Sequence, residues 1–466
     1  MKKILLTIIA LGAVYMTSDA RTVNGSVVCG KEKLSGVIVT DGTNFTQTAR
    51  NGKFTFDIED DAAFVYIVTP SGYVADWSSG VPAFYQKADK DEYVFELQKT
   101  EQSDTYNILA VGDPQPREEE HFEELAGVPL EDLASTASSL EGVTVGIALG
   151  DICYDRLHLQ VRWKEEIPRT GIPFYPAVGN HDHDWNGNDP ADEDCINPYR
   201  TNMGPENYAF CLGDDYVLVV DDIIYRPKGR YKEGYSEYVL NWVEGLMEYI
   251  PETADIYVAQ HSPLNGRHYG KMIVNHDVML DLLKGHKVSF LSGHNHTNGN
   301  FEYAENVREH NIAAICGTWW DAYHCTDGTP RGYKVFTKKD GHLSWYYKSI
   351  GHDRSFQFEV FKPGECRRNN ESVVVNVWDY DPCWRIEWYE DGKYKGVMPQ
   401  VEEYSPLHTA EIEARYKALG REVSQYKRTR LARHYFAQKP SPDAETVRVK
   451  VTDRFGNVWE QTISLK

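Results

Sequence analysis

Although it has eight cysteines, the sequence contains no Cys-x-x-Cys pair, which excludes the usual cysteine-built zinc sites. It shows no internal repeat and no low-complexity tract, so repeat arrays and biased disordered segments are excluded too. Beyond the N-terminus no apolar stretch approaches the roughly 20 residues needed to cross a bilayer. Positive charge is scarce: 49 Lys and Arg face 70 Asp and Glu, a formal net charge of −21. Such a surface repels polyanions, and nucleic acid is not an expected partner. The densest basic stretch, Lys427-Arg428-Thr429-Arg430 with Arg433, reads as a solvated face. The acidic run Asp189 to Asp194 reads as a solvated loop, because its spacing matches no EF-hand.

What is present fills large cores: 466 residues, 41% hydrophobic and 12% aromatic, a size that suggests about three domains. Lys2-Lys3, the apolar stretch Ile4 to Met16, and small residues at Ser18 and Ala20 read as a secretory signal spanning residues 1–20. An uncleaved anchor is the alternative, and export to periplasm, medium or cell surface is the expectation. Export would make disulfides available. Cys195 with Cys211, and Cys316 with Cys325, are near enough in sequence to pair, whereas Cys29 and Cys153 read as buried thiols. Short alternating runs and the turn signals Asp41-Gly42 and Asn51-Gly52 make residues 21–99 a small all-β sandwich, with Lys99 to Asp104 as linker. A second β-rich block occupies 355–466, with one helix near Ala410 to Arg421.

The middle, residues 104–350, carries the chemistry. Five apolar runs each stop at metal-binding side chains. Asn107 to Val111 leads into Asp113-Pro114-Gln115, Val143 to Leu149 into Gly150-Asp151, and Phe174 to Val178 into Gly179-Asn180-His181-Asp182. Ile256 to Ala259 leads into Gln260-His261, and Val288 to Leu291 into Gly293-His294-Asn295-His296. Runs this short and rich in Val and Ile read as buried strands, so the ligands gather at one sheet edge, where α/β folds hold their sites. Carboxylate, carboxamide and imidazole in this number suit two borderline divalent metals.

In their order the five pieces resemble those of the calcineurin-like metallophosphoesterase superfamily, over roughly Tyr106 to Ile350. The resemblance implies an α/β core, a double β-sandwich flanked by helices. It implies a first metal on Asp113, Asp151 and His296, and a second on Asp151, Asn180, His261 and His294, with Asp151 bridging. The ions would be divalent or mixed-valence Mn, Fe or Zn. Gln115 stands where the family usually has a first-site His, and is read as orienting substrate or offering an amide oxygen to metal. Tyr154 occupies the place of the iron-binding Tyr of purple acid phosphatases, which this stretch also resembles; otherwise it packs behind the site.

Two metals about 3.5–4 Å apart would activate water and neutralise a phosphoryl group. His181 is the expected general acid or cation, with Asp182 fixing its tautomer. Arg267 could clamp phosphate, and the loop Trp319-Trp320 either stacks on substrate or packs in the core. The expected activity is hydrolysis of a small or medium phosphate mono- or diester. A phosphodiesterase for lipid head groups or nucleotides, and an inactive binder of glycan or a surface partner, are the alternatives. Sequencing the N-terminus of the mature protein should return a start near Arg21; intact Met1 on a cytosolic protein would reject export.

Overall fold

The strand Tyr106–Val111 turns Ile108 and Ala110 to one side and Leu109 and Val111 to the other, and all four are buried. A period of two with both faces covered explains why the run is apolar without interruption. A computed structural model describes residues 21–101, 103–186 and 192–466. The expected signal segment lies outside these residues, as does the start of the run Asp189 to Asp194. Asp192 opens a helix, Asp192–Met203, rather than continuing a loop.

Two sheets form the centre. One runs in the order Phe174–Ala177, Val143–Leu149, Tyr106–Val111, Gly332–Lys339, His342–Ser349. Its first three strands are parallel and its last two form an antiparallel hairpin. The other is ordered Tyr208–Leu212, Asp215–Val219, Ile256–Ala259, Val288–Ser292, Val307–Asn311, Gly299–Ala304, with its four middle strands parallel. Residues 312–316 are buried and lie beyond the end of the strand Val307–Asn311.

The sheets share a core that includes Ile108, Ile147, Val217 and Tyr257. Helices Glu119–Ala126, Val128–Ser139 and His158–Glu166 cover the outer face of the first sheet, and Glu237–Met247 and His276–Leu282 that of the second. Glu237–Met247 is typical: Ser236 Oγ accepts from Val239 N, and Val239, Trp242, Val243 and Leu246 recur at helical spacing on the buried side. Because the central strands of both sheets are parallel, their C-terminal ends meet at one edge, which puts all five motifs together. Among the described residues no helix is long and apolar enough to cross a membrane.

The flanks are β-rich. Residues 21–99 form two small sheets joined to the centre through Thr69, whose carbonyl accepts from Cys211 N at 2.9 Å. The C-terminal region forms two four-stranded sheets around Val373, Val375, Trp388, Val449 and Val451. Its helix spans Pro406–Ala418, starting four residues earlier than expected, because Ser405 caps it and Pro406 suits the first turn.

Neither expected disulfide forms. Cys316 and Cys325 are buried thiols whose sulfurs point to the Gly317 and Ala314 carbonyls. Cys195 packs with Ile223 and Tyr225, whereas Cys211 lies in a different cluster.

The central and C-terminal parts are tied by a dry ion pair: Lys334 Nζ lies 2.7 Å from Asp379 Oδ1, and neither side chain is exposed. Asn298 and Asn300 also donate to that oxygen. Removing the cation leaves a buried carboxylate unpaired, so Lys334→Ala should cost about 3–5 kcal/mol in urea unfolding. A loss under about 1 kcal/mol, the size of an exposed pair, would mean that water reaches Asp379.

Candidate metal centre

The strand-end loops turn sharply to aim their side chains inward. Asp113, Gln115, Asp151, His294 and His296 have φ of 47°, 41°, 51°, 68° and 50°, a region that costs a side-chain-bearing residue energy and recurs at functional sites. The neighbouring glycines make room. A Cβ on Gly179 would overlap Asp151's N and Oδ1, and one on Gly293 would come within 2.6 Å of Asp113 Oδ2.

At the centre, His261 Nε2 lies 3.0 Å from His294 Nδ1, 3.2 Å from Asn180 Oδ1 and 3.3 Å from Asp151 Oδ1. Asp151, His261 and His294 offer ligand atoms within 4.8 Å of one another. Alongside, His296 Nε2 lies 3.3 Å from Asp113 Oδ1. The opposite nitrogens of the three imidazoles are already engaged. His261 Nδ1 donates to Leu149 O at 2.8 Å, His294 Nε2 to Glu233 Oε1 at 3.1 Å, and His296 Nδ1 to Gly317 O at 3.2 Å. With those tautomers the inward nitrogen of each neutral ring, the form that binds a metal, is a bare lone pair facing carboxylate and amide oxygens. Asp113 Oδ1 and Gln115 Oε1 are buried without a donor. Such a set is repulsive unless a cation sits inside it, so the residues fit metal ions.

Without an ion the same negative charge draws protons instead: burial pushes the His261 imidazole down, but Asp151 and Asp113 outweigh it and lift it to about 10. Burial likewise opposes ionisation of Asp151, and His261 and His181 overcome it, holding its carboxyl well below the usual range. A dry pocket with this much negative charge draws in positive charge.

Two acidic residues of the site escaped the sequence reading. Asp222 accepts from His261 N at 2.9 Å and Ser262 N at 2.7 Å, pinning that loop. Its signal was present, since Asp221-Asp222 ends the apolar run Val217 to Val220 as the five motifs end theirs. Glu233, at the end of strand Arg230–Glu233, orients His294. Nothing local marks it, because the strand is polar and half exposed.

The third motif needs a correction. Asp155, not Asp182, is the carboxylate on His181: Asp155 Oδ1 accepts from His181 Nδ1 at 2.8 Å. Residues Asn180–Asp182 form a 3₁₀ turn, where successive side chains point about 120° apart. Asn180 therefore faces the cluster while Asp182 turns inward, accepting from Gly179 N and Ile152 N at 2.9 and 3.1 Å and from Gln160 Nε2. Asp182 thus clamps the Asp151 loop to the Asn180 loop.

Other expected residues divide. Gln115 Nε2 donates to Asp151 Oδ2, and its own N donates to Asp151 O at 2.9 Å, so it holds Asp151. Tyr154 stacks on His181 with ring centroids 4.0 Å apart, and burial raises its phenol. Trp319 is half-buried and stacks on His296 at 4.5 Å. Trp320 is a core residue instead of a substrate contact: it is buried and its indole N–H donates to Pro114 O at 3.0 Å. Arg267 is exposed, with its backbone N on Glu233 Oε2 at 2.9 Å. The basic stretch is no simple solvated face. Lys427 and Arg430 are half-buried, Lys427 paired with Asp321 and Arg430 with His268.

Two packed sheets with carboxylate, amide and imidazole converging at their shared edge define a metal-dependent hydrolase fold. Three family models match: "N terminal of Calcineurin-like phosphoesterase" over residues 21–100, "Calcineurin-like phosphoesterase" over 106–298, and "C terminal of Calcineurin-like phosphoesterase" over 309–459. The chain belongs to the calcineurin-like phosphoesterases, metal-dependent hydrolases of phosphoric esters. No curated protein matches it. Among solved structures, a dimetal phosphatase from Danio rerio is 13% identical, with 53% of this chain and 97% of that one covered and a TM-score of 0.39. A purple acid phosphatase from yellow lupin (Lupinus luteus) seeds is 13% identical over 68% and 67%, with a TM-score of 0.39. A 5′-nucleotidase from Candida albicans is 10% identical over 54% and 53%, with a TM-score of 0.33.

Glu233 provides a test of the metal reading. Carboxylates that hold a ligating imidazole typically contribute 10–100-fold to metal affinity, so Glu233→Ala should weaken metal retention by about that factor in a competitive chelator titration. Unchanged retention would separate His294 from the ligand set.

Proposed function

We propose that the chain is an exported phosphatase that hydrolyses a small or medium-sized phosphate mono- or diester at a dinuclear centre of Mn, Fe or Zn. The observation that carries this reading is the set of three inward imidazole lone pairs facing Asp113, Asp151 and Asn180. Asp113, Asp151 and His296 would hold one ion, and Asp151, Asn180, His261 and His294 the other. When bound, the ions supply Lewis acidity to the phosphoryl group and lower the pKa of the attacking water.

The protein's own groups do the rest. Gln115 fixes the Asp151 carboxylate, which also accepts from His181 N at 2.9 Å. His181 keeps its Nδ1 proton on Asp155, leaving Nε2 to donate to the leaving oxygen. Its imidazole is partly exposed, and the Tyr154 stack fixes its plane. Burial works against its charged form, yet Asp151 and Asp155 outweigh burial and raise its pKa. The active form is therefore the protonated one, held below that pKa and lost as pH rises through it. The signal-like N-terminus supports export, and the acidic surface supports a small substrate over a nucleic acid.

His181→Ala should retain both metals by elemental analysis while kcat on an alkyl phosphate falls by about 10²–10⁴-fold. An aryl phosphate, whose leaving group needs little protonation, should lose less. Asp155→Asn removes a charge that raises the imidazole pKa, so the alkaline limb of the kcat/KM profile should move to lower pH. Unchanged kcat on the alkyl ester with metals bound would remove His181 from the mechanism, and an unmoved limb would remove Asp155.

A further inference from the structure

Beside the metal centre, three basic residues from two distant parts of the chain meet. Arg267 and His268 lie on the short turn Arg267–Tyr269 that follows the His261 loop, and Arg430 immediately precedes the C-terminal strand Leu431–Gln438. Arg430 Nη1 donates to His268 Nδ1 at 2.6 Å. His268 N donates to Asn295 Oδ1 at 2.9 Å, between His294 and His296, and Arg267 N donates to the Glu233 carboxylate that orients His294. The cluster is thus anchored by two independent paths to the imidazoles of the centre.

Its charge has no direct carboxylate partner, although Glu233 acts on Arg267 and Asp327 on Arg430 from further away. Among the described residues neither Arg267 nor Arg430 forms an ion pair with a carboxylate, although the chain has 70 acidic residues to 49 basic ones. The nearest acids are occupied. The Glu233 oxygens accept from His294 Nε2 and Arg267 N, and those of Asp327 accept from His434, Asn298 N and Thr329. Burial and then Arg267 hold the Arg430 guanidinium below its ordinary value. Burial, Arg430 and Arg267 push His268 down to about 4, which makes it a neutral acceptor rather than a third cation. Two guanidiniums joined through the Arg267-His268 turn, neither in direct contact with a carboxylate, repel each other and offer forked N–H donors to an oxyanion.

We infer that Arg267 and Arg430 bind a second anionic group of the substrate, a phosphate or carboxylate lying beyond the ester that is cleaved, so that the C-terminal region contributes directly to substrate choice. The inference rests on the phosphoesterase reading above. It narrows the substrate class to phosphoesters with a second negative centre.

The test uses the full metal-loaded chain at fixed free metal, with hydrolysis of p-nitrophenyl phosphate as the assay. The competitors are methylphosphonate, α,ω-alkane bisphosphonates from methylene to hexamethylene, and ω-phosphonocarboxylates of the same lengths. At some chain length a doubly anionic inhibitor should bind at least about tenfold more tightly than methylphosphonate. The bisphosphonate and carboxylate arms tell which second group is preferred. Arg430→Gln should remove most of that ratio and Arg430→Lys should keep part of it. If Arg430→Gln proves unfolded by circular dichroism, Arg267→Gln is read in its place. No advantage at any length, or an equal loss for methylphosphonate and the dianions, would overturn the inference and leave the arginines as a clamp on the scissile phosphate or as surface groups. Absence of p-nitrophenyl phosphate turnover would count against the phosphoesterase reading alone, because calorimetric titration of the same competitors still measures the ratio.

Discussion

The mutual repulsion of imidazole lone pairs and carboxylate oxygens inside a dry pocket is the constraint around which the centre is organised. His261, His294 and His296 each give their outward N–H to a fixed acceptor, which leaves the inward nitrogen of a neutral ring no proton to share. A soft or solvated pocket would relax by rotating rings or admitting water. Here the rings are buried, their acceptors are a strand-end carbonyl, a hairpin glutamate and a turn carbonyl, and Asp222 and Asp182 pin the loops from behind. The pocket therefore favours positive charge at its centre, which pre-organises it for cations.

The backbone bears the cost of that arrangement. Five side-chain-bearing residues in the left-handed region would be destabilising as isolated turns, and only the parallel strands before them, buried on both faces, hold them in place. Glycine supplies the missing space where a loop passes directly over a carboxylate, as Gly179 does over Asp151. This is why Gly stands directly before Asp151, Asn180 and His294 in the sequence.

Those features were legible because they are local. An apolar run with both faces covered and the polar motif that ends it are contiguous, so the central strands and the gathering of the five motifs follow from pattern, and the choice of Asp113, Asp151, Asn180, His261, His294 and His296 as ligands from the family resemblance. What was illegible depends on direction or on distance. Asp182 is next to His181 in sequence but faces away from it, because a 3₁₀ turn separates neighbours by a third of a rotation, and Asp155 reaches the imidazole from another loop. Trp319 and Trp320 are adjacent, yet one stacks on His296 and the other is tied to Pro114 O in the core. Glu233 sits on a polar strand that no periodicity distinguishes. The cysteine pairs were close in sequence and separated by packing.

The C-terminal region belongs to the same argument. A solvated basic run would keep its cations apart from each other and near acids, since this chain has an acidic excess. Instead Lys427 is drawn to Asp321 on the loop carrying Trp319 and Trp320, and Arg430 to His268 beside the centre, while Lys334 and Asp379 close a dry bond between the same two regions. A buried ion pair adds little net stability but tolerates few alternative packings. Its position at the junction fixes how the C-terminal sheets dock, and through that docking it fixes where Arg430 sits relative to His294 and His296. The geometry of the metal pocket is thus set by its own loops, and the charge at its rim by the packing of a region that contributes no ligand.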